Sequence, residues 1–214
     1  MMNYDAADDA IRAINRQNLR IFNRLKARLM KDDELHIIRD VSDAYAESIA
    51  YVERRFLEVA RKAYDQGAAD ANYRPRRHPI DGDWLIEHLY TVDPVTLYSF
   101  LDEAERKKAR LTEALSVTPN KAHEVDKALK LWTRQIGWTA VSVVDEATVE
   151  AFKDAGVLQV MWISKHDNRV CDECWERNGT IYDIDKIPPK PHGNCRCKLK
   201  PILEKPKASS GDTT

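Results

Sequence analysis

The sequence predicts an α+β protein that is mostly α: long amphipathic helices followed by a small C-terminal β module stabilised by zinc. Three observations carry this. Apolar residues recur at helical spacing from Ile11 to Phe152. From Val157 the pattern changes to strand-like alternation. All four cysteines and a histidine then fall between Val170 and Cys197. The 214 residues allow one sizeable core or two modest ones. With 34 basic and 35 acidic residues, the formal charge of -1 argues against a generally basic nucleic-acid coat and against a chain-wide acidic mimic. Seven glycines and 32% charged residues suit solvated helices better than a turn-rich β fold.

The first unit, residues 1–67, reads as a helical hairpin or arm. Its opening helix, about Asp8 to Met30, places Ile11, Ile14, Ile21, Phe22, Leu25 and Leu29 on one face. Arg12, Arg16, Arg20, Arg24 and Arg28 form a stripe opposite, either a plain solvated face or one turned to phosphate or a partner's carboxylates. A longer seam follows through Ile38, Val41, Tyr45, Ile49, Val52, Phe56, Val59 and Ala63, with Gly67 as its expected stop. A helix of that length packs along its predecessor in an antiparallel hairpin or along another subunit.

Residues 68–83 read as a basic, proline-stiffened linker in which Arg74, Arg76 and Arg77 are candidate nucleic-acid contacts; the plainer reading is an exposed hinge. Residues 84–156 are helical again. A short helix covers Trp84 to Tyr90, and Asp93-Pro94 signals the start of another with Leu97, Leu101, Ala104, Leu111 and Leu115 on one face. Thr118-Pro119 repeats the signal ahead of Val125, Leu129, Trp132, Ile136, Ala140 and Val143, a stretch that reaches Gly156 with a kink or break. Trp132, Trp138 and Phe152 are core residues on this reading.

Residues 157–204 form the β module, with strands from Val157, over Thr180 to Ile184 and over Cys195 to Leu199. Cys171 and Cys174 make a CxxC knuckle, half of a tetrahedral zinc site. His192, Cys195 and Cys197 offer three donors for the other half, so four of these five residues hold a structural Zn²⁺. The expected set is Cys171, Cys174, His192 and one of the last two, with Cys195 preferred for the HxxC spacing. Two disulfides, or buried cysteines without metal, are the alternatives. A module this poor in large apolar groups draws much of its folding free energy from the ion. Residues 205–214 read as a disordered tail. No apolar run approaches the roughly 18 residues of a membrane helix, and no signal peptide is evident, so the chain reads as soluble with reduced thiols and no membrane partner.

The order Trp162, Asp167, Arg169-Val170-Cys171, Cys174, Gly179, Pro189, His192, Asn194-Cys195-Arg196-Cys197, Leu199 and Pro201 resembles the C-terminal signature of the phage Mu F-like head-morphogenesis family, the minor capsid or minor head proteins encoded near portal genes. The resemblance covers about residues 120 to 203, with His192-Gly193 standing where a His-Pro pair is common. It implies a non-catalytic protein that associates with the portal protein in the host cytoplasm during prohead assembly. It further implies a place in the prohead or virion interior, scaffold or major capsid protein as further partners, and contact with packaged double-stranded DNA without sequence preference. Arg196 and Lys198 join the linker arginines as candidate DNA contacts.

Two rival functions are weighed against this. A DNA-binding zinc module of transcriptional type would use Arg169, Lys190, Arg196, Lys198 and Lys200 on phosphates. A zinc-dependent nuclease or hydrolase would need an open coordination position or a following helix with its own histidine, whereas only the tail follows. Deaminase chemistry would need a His-x-Glu motif, but His166 is followed by Asp167 and Asn168.

Overall fold

The computed structural model describes residues 4–31, 36–92, 97–165, 170–192 and 195–203. Helix α1, Asp5–Leu29, begins with Asp5 and Asp8 and ends with Lys26 and Arg28, so both ends complement the helix dipole. Helix α2, Ile37–Asp70, runs antiparallel to it: Phe22 meets the Tyr45 ring edge-on at 5.6 Å, and Ser48 Oγ donates to Asn18 Oδ1 at 2.7 Å. Helix α5, Lys121–Asp154, lies beside both. It is parallel to α2, with Tyr45 against Trp132 at one end and Tyr64 donating to Asp154 at the other. Two helices of 34 residues are each about 51 Å long, which makes this pair the long axis of the molecule.

Gly67 is not a helix stop. It lies inside α2 where that helix crosses α5; a Cβ there would sit 3.0 Å from the Ala151 Cβ and 3.1 Å from the Thr148 Cγ2. The stop comes at Asn72, whose φ of 54° supplies the left-handed turn. Tyr73 N–H then donates to Ala68 O at 2.8 Å and Asn72 N–H to Ala69 O at 3.1 Å, a Schellman cap. Helix α5 ends the same way on Gly156 (φ 73°) and has no break before it.

Residues 71–81 pack onto α2 rather than standing clear of it: Ile80 is buried and its carbonyl accepts from Arg61 Nε at 3.0 Å. Helix α3, Gly82–Tyr90, is capped by Asp81, which accepts from Trp84 N–H at 3.0 Å. The expected Asp93-Pro94 start lies outside the described residues. Helix α4 is Phe100–Val117, opened by a capping box between Ser99 and Asp102, and Leu97 stands before it with φ 61° and 71% exposure. Likewise α5 is capped by Asn120 rather than by Thr118, which closes α4. One buried cluster, from Tyr4 to Ala151, takes residues from α1 through α5, so the stretches 1–67 and 84–156 share a core.

Three strands follow: β1 Gln159–Ile163, β2 Ile181–Asp183 and β3 Lys198–Ile202, in the order β2-β1-β3 with both pairings antiparallel. β2 is shorter than expected because Ile184 already starts a 3₁₀ turn. β3 starts three residues later than expected: Cys195 and Cys197 precede the ladder, with Cys195 N–H turned back onto the His192 carbonyl at 3.1 Å. Pro201 is tolerated because β3 is an edge strand. Between β1 and β2 lies a short helix, α6, Asp172–Glu176. A second buried cluster joins Phe152, Val157, Val160, Trp162, Ile184 and Leu199 to Cys174, Cys195 and Cys197. The expected tail, 205–214, lies outside the described residues.

Candidate metal centre

Cys171 caps α6, its sulfur accepting from the Cys174 N–H at 3.4 Å, so the CxxC spacing folds both thiols to one side of a single helical turn. The turn is held from behind. The Ser164 hydroxyl makes a short hydrogen bond to the Cys174 carbonyl, Asn178 Oδ1 accepts from Ser164 N–H at 2.9 Å, and Gly179 (φ 80°) donates to the Trp162 carbonyl at 2.8 Å. Arg177 then fixes the approach of the proline-rich segment, donating to Pro189 O at 2.7 Å while lying 5.1 Å over the Trp162 ring.

The five expected donors meet here in two groups that share Cys174. Cys171, Cys174 and His192 form one, and Cys174, Cys195 and Cys197 the other, with every donor pair in a group within 4.8 Å. Cys174 Sγ lies 3.4 Å from Cys195 Sγ and 3.8 Å from His192 Nε2. Zinc–sulfur bonds of about 2.3 Å at tetrahedral angles place sulfurs about 3.8 Å apart, so these two separations suit donors to a shared ion, while no four of the five donors lie mutually within 4.8 Å. The four thiols are free in this structure. Soft thiolate and imidazole donors select zinc or another soft metal over magnesium or calcium.

The thiols compete for charge. Donation from Cys195 pulls Cys197 down to about 4, helped by Cys174, Ser164 and the Lys165 backbone. The same hydrogen bond, and then burial, pushes Cys195 up, while burial first and the Cys171 contact next raise Cys174 to about 12. One negative charge is thus accommodated by its neighbours' protons. Ionising Cys174 and Cys195 as well is favoured by a cation among them.

The candidate nucleic-acid contacts fall in different settings. Arg74, Arg76 and Arg77 are exposed on the connection after α2. Arg196 is turned inward to Asp8 at 2.8 Å, Lys190 to Asp145 at 2.8 Å, and Lys198 is half-buried in β3. On α1, Arg12, Arg24 and Arg28 pair with Asp9, Glu47 and Asp40. Asp167, Arg169 and Asn194 lie outside the described residues.

A groove of about 670 Å³ borders His192, walled by α5 on one side and Pro188, Pro189 and Pro191 on the other, with Trp138 and Trp162 among its lining. Its three carboxylates each have a nitrogen partner: Asp145 the Lys190 ammonium, Glu146 the His88 imidazole and Asp185 the Lys153 ammonium. Sequence reasoning missed α6 and the inward partners of Lys190 and Arg196. The acidic start of α6 was the local signal for the first; for the second there was none, since the partners are distant in sequence. No helix among the described residues is long and apolar enough to cross a membrane. Compared with protein-family models, curated proteins and solved structures, the chain matches none.

Proposed function

We propose that this chain is a non-catalytic phage head-morphogenesis protein of the Mu F-like kind, acting in the host cytoplasm as proheads assemble and remaining in the prohead or virion interior. Its helical body meets the portal protein, with scaffold or major capsid protein as further partners, and a structural zinc ion pins its C-terminal module. The observation that carries the reading is that Cys171, Cys174, His192, Cys195 and Cys197, the metal-donor positions of the resembled signature, gather in two adjoining groups that share the buried Cys174.

The test is a pull-down from assembling particles. Recovery of the chain with portal oligomers is the expected result; its absence from portal and prohead fractions sinks the reading. Elemental analysis of reduced protein purified without chelator is expected to give about one zinc per chain, a full tetrahedral donor set per ion. A second reading, duplex-DNA binding, is favoured by the exposed Arg74, Arg76 and Arg77, which lie outside the zinc module, whereas the module's Lys190 and Arg196 are paired with Asp145 and Asp8. Replacing all three with alanine would weaken salt-sensitive binding to duplex DNA in either case, whereas portal association separates the two.

A further inference from the structure

Behind the sulfur cluster, side chains from distant parts of the chain gather on one backbone oxygen. The Cys197 carbonyl lies 2.9 Å from the Tyr4 hydroxyl and accepts from Lys190 Nζ at 2.6 Å. Asp145 of α5 completes the group, 2.6 Å from the Tyr4 hydroxyl and 2.8 Å from Lys190 Nζ. Tyr4 has one proton for two acceptors, while the three N–H donors of Lys190 reach the Cys197 carbonyl, the Asp145 carboxylate and, at 2.5 Å, the tyrosine oxygen. Every member therefore has a partner, in a site where Tyr4 is 5% exposed.

The same residues fasten the start of α1. Lys190 lies 4.9 Å over the Tyr4 ring and Arg196 5.5 Å over it, and Arg196 also pairs with Asp8. Lys190 is stiffly mounted, since Pro189 and Pro191 flank it and Arg177 holds the Pro189 carbonyl. Arg196, between two of the donor cysteines, carries the second tie. The backbone that delivers Cys195 and Cys197 is thus positioned by residues 4, 8, 145 and 190, none of them a donor to the ion.

Resting on the zinc reading above, we infer that Lys190 and Tyr4 are positioning residues for the metal, so that zinc binding and the seating of the first turn of α1 are a single coupled event. Outer-shell groups that hold a donor's backbone set how much of the binding free energy is spent on ordering it.

Zinc affinity of the full chain would be measured by competition with a chromophoric chelator, and amide hydrogen exchange followed over Asp8–Ile14 with and without zinc. Lys190→Met is expected to weaken zinc at least tenfold, with Lys190→Arg recovering part of the loss. Tyr4→Phe, which keeps the ring, is expected to weaken it about fivefold, the worth of one hydrogen bond. Stripping zinc is expected to raise exchange over Asp8–Ile14 and leave Leu111–Leu115 in α4 unchanged. One zinc bound at wild-type strength by Lys190→Met, or exchange in α1 indifferent to zinc, overturns the coupling and leaves the zinc reading standing. Failure of the unaltered chain to bind zinc overturns both. If Lys190→Met does not fold, Tyr4→Phe decides alone: unchanged affinity overturns the coupling.

Discussion

In the helical body the interior is built from large side chains drawn from α1 to α5, with Trp132, Tyr45, Phe22 and Phe56 all buried. Among the described residues, the interior of the C-terminal module is built from eight buried residues, three of them cysteine, closed by Phe152 of α5. The body draws its stability chiefly from apolar burial, at roughly 25 cal/mol for each Å² removed from water. The module's sulfurs bury little area, and three strands of three to five residues form a sheet too small to stand by itself. The contrast teaches that one chain can hold two neighbouring interiors of different chemical origin, one sensitive to cavities and the other to its donors.

The sharpest break of this contrast is Cys174→Ser, which removes the donor common to both groups. It is expected to abolish zinc retention and protease resistance beyond residue 156 while the helical signal in circular dichroism stays near its original value. Uniform loss of both regions would show that the interiors are not separable. Next in size is Trp132→Ala, which empties a site stacked on Phe100 at 5.0 Å and breaks the indole's bond to Ser48. It is expected to cost the body about 3–5 kcal/mol in denaturant unfolding, with zinc stoichiometry of the folded fraction unchanged. Gly67→Leu, at the crossing of α2 and α5, is expected to cost about 1–3 kcal/mol by forcing the helices apart, read as a lowered Tm. The smallest effect is Ser99→Ala, which removes the cap of α4 for about 1 kcal/mol and leaves zinc untouched.

The long helices were legible because a buried stripe repeats through Ile14, Ile21, Phe22 and Leu25, and again through Val41, Tyr45, Val52 and Phe56, whatever they pack against. The donors were legible because their spacing is itself chemical. What sequence could not supply was context across the fold. Gly67 looks like a stop until the neighbouring Thr148 and Ala151 show that it permits a close crossing. The strand expected over Cys195 to Leu199 was displaced because the cysteines face the cluster before the ladder begins. Ser99 and Asp102 were a readable capping box, overshadowed by the louder Asp93-Pro94 pair. Tyr4 and Lys190 meet across 186 positions, a separation no local pattern encodes.

The parallel course of α2 and α5 has a kinetic side. Two helices pointing the same way cannot be joined by a tight turn, so the whole run from Ala71 to Asn120 must return along the molecule before α5 can dock. The α1–α2 pair needs only a short closure and is expected to form early, with α5 arriving late across a longer loop. Substitutions between α1 and α2 should then slow refolding, and those between α2 and α5 should chiefly hasten unfolding, a division that stopped-flow chevrons would reveal.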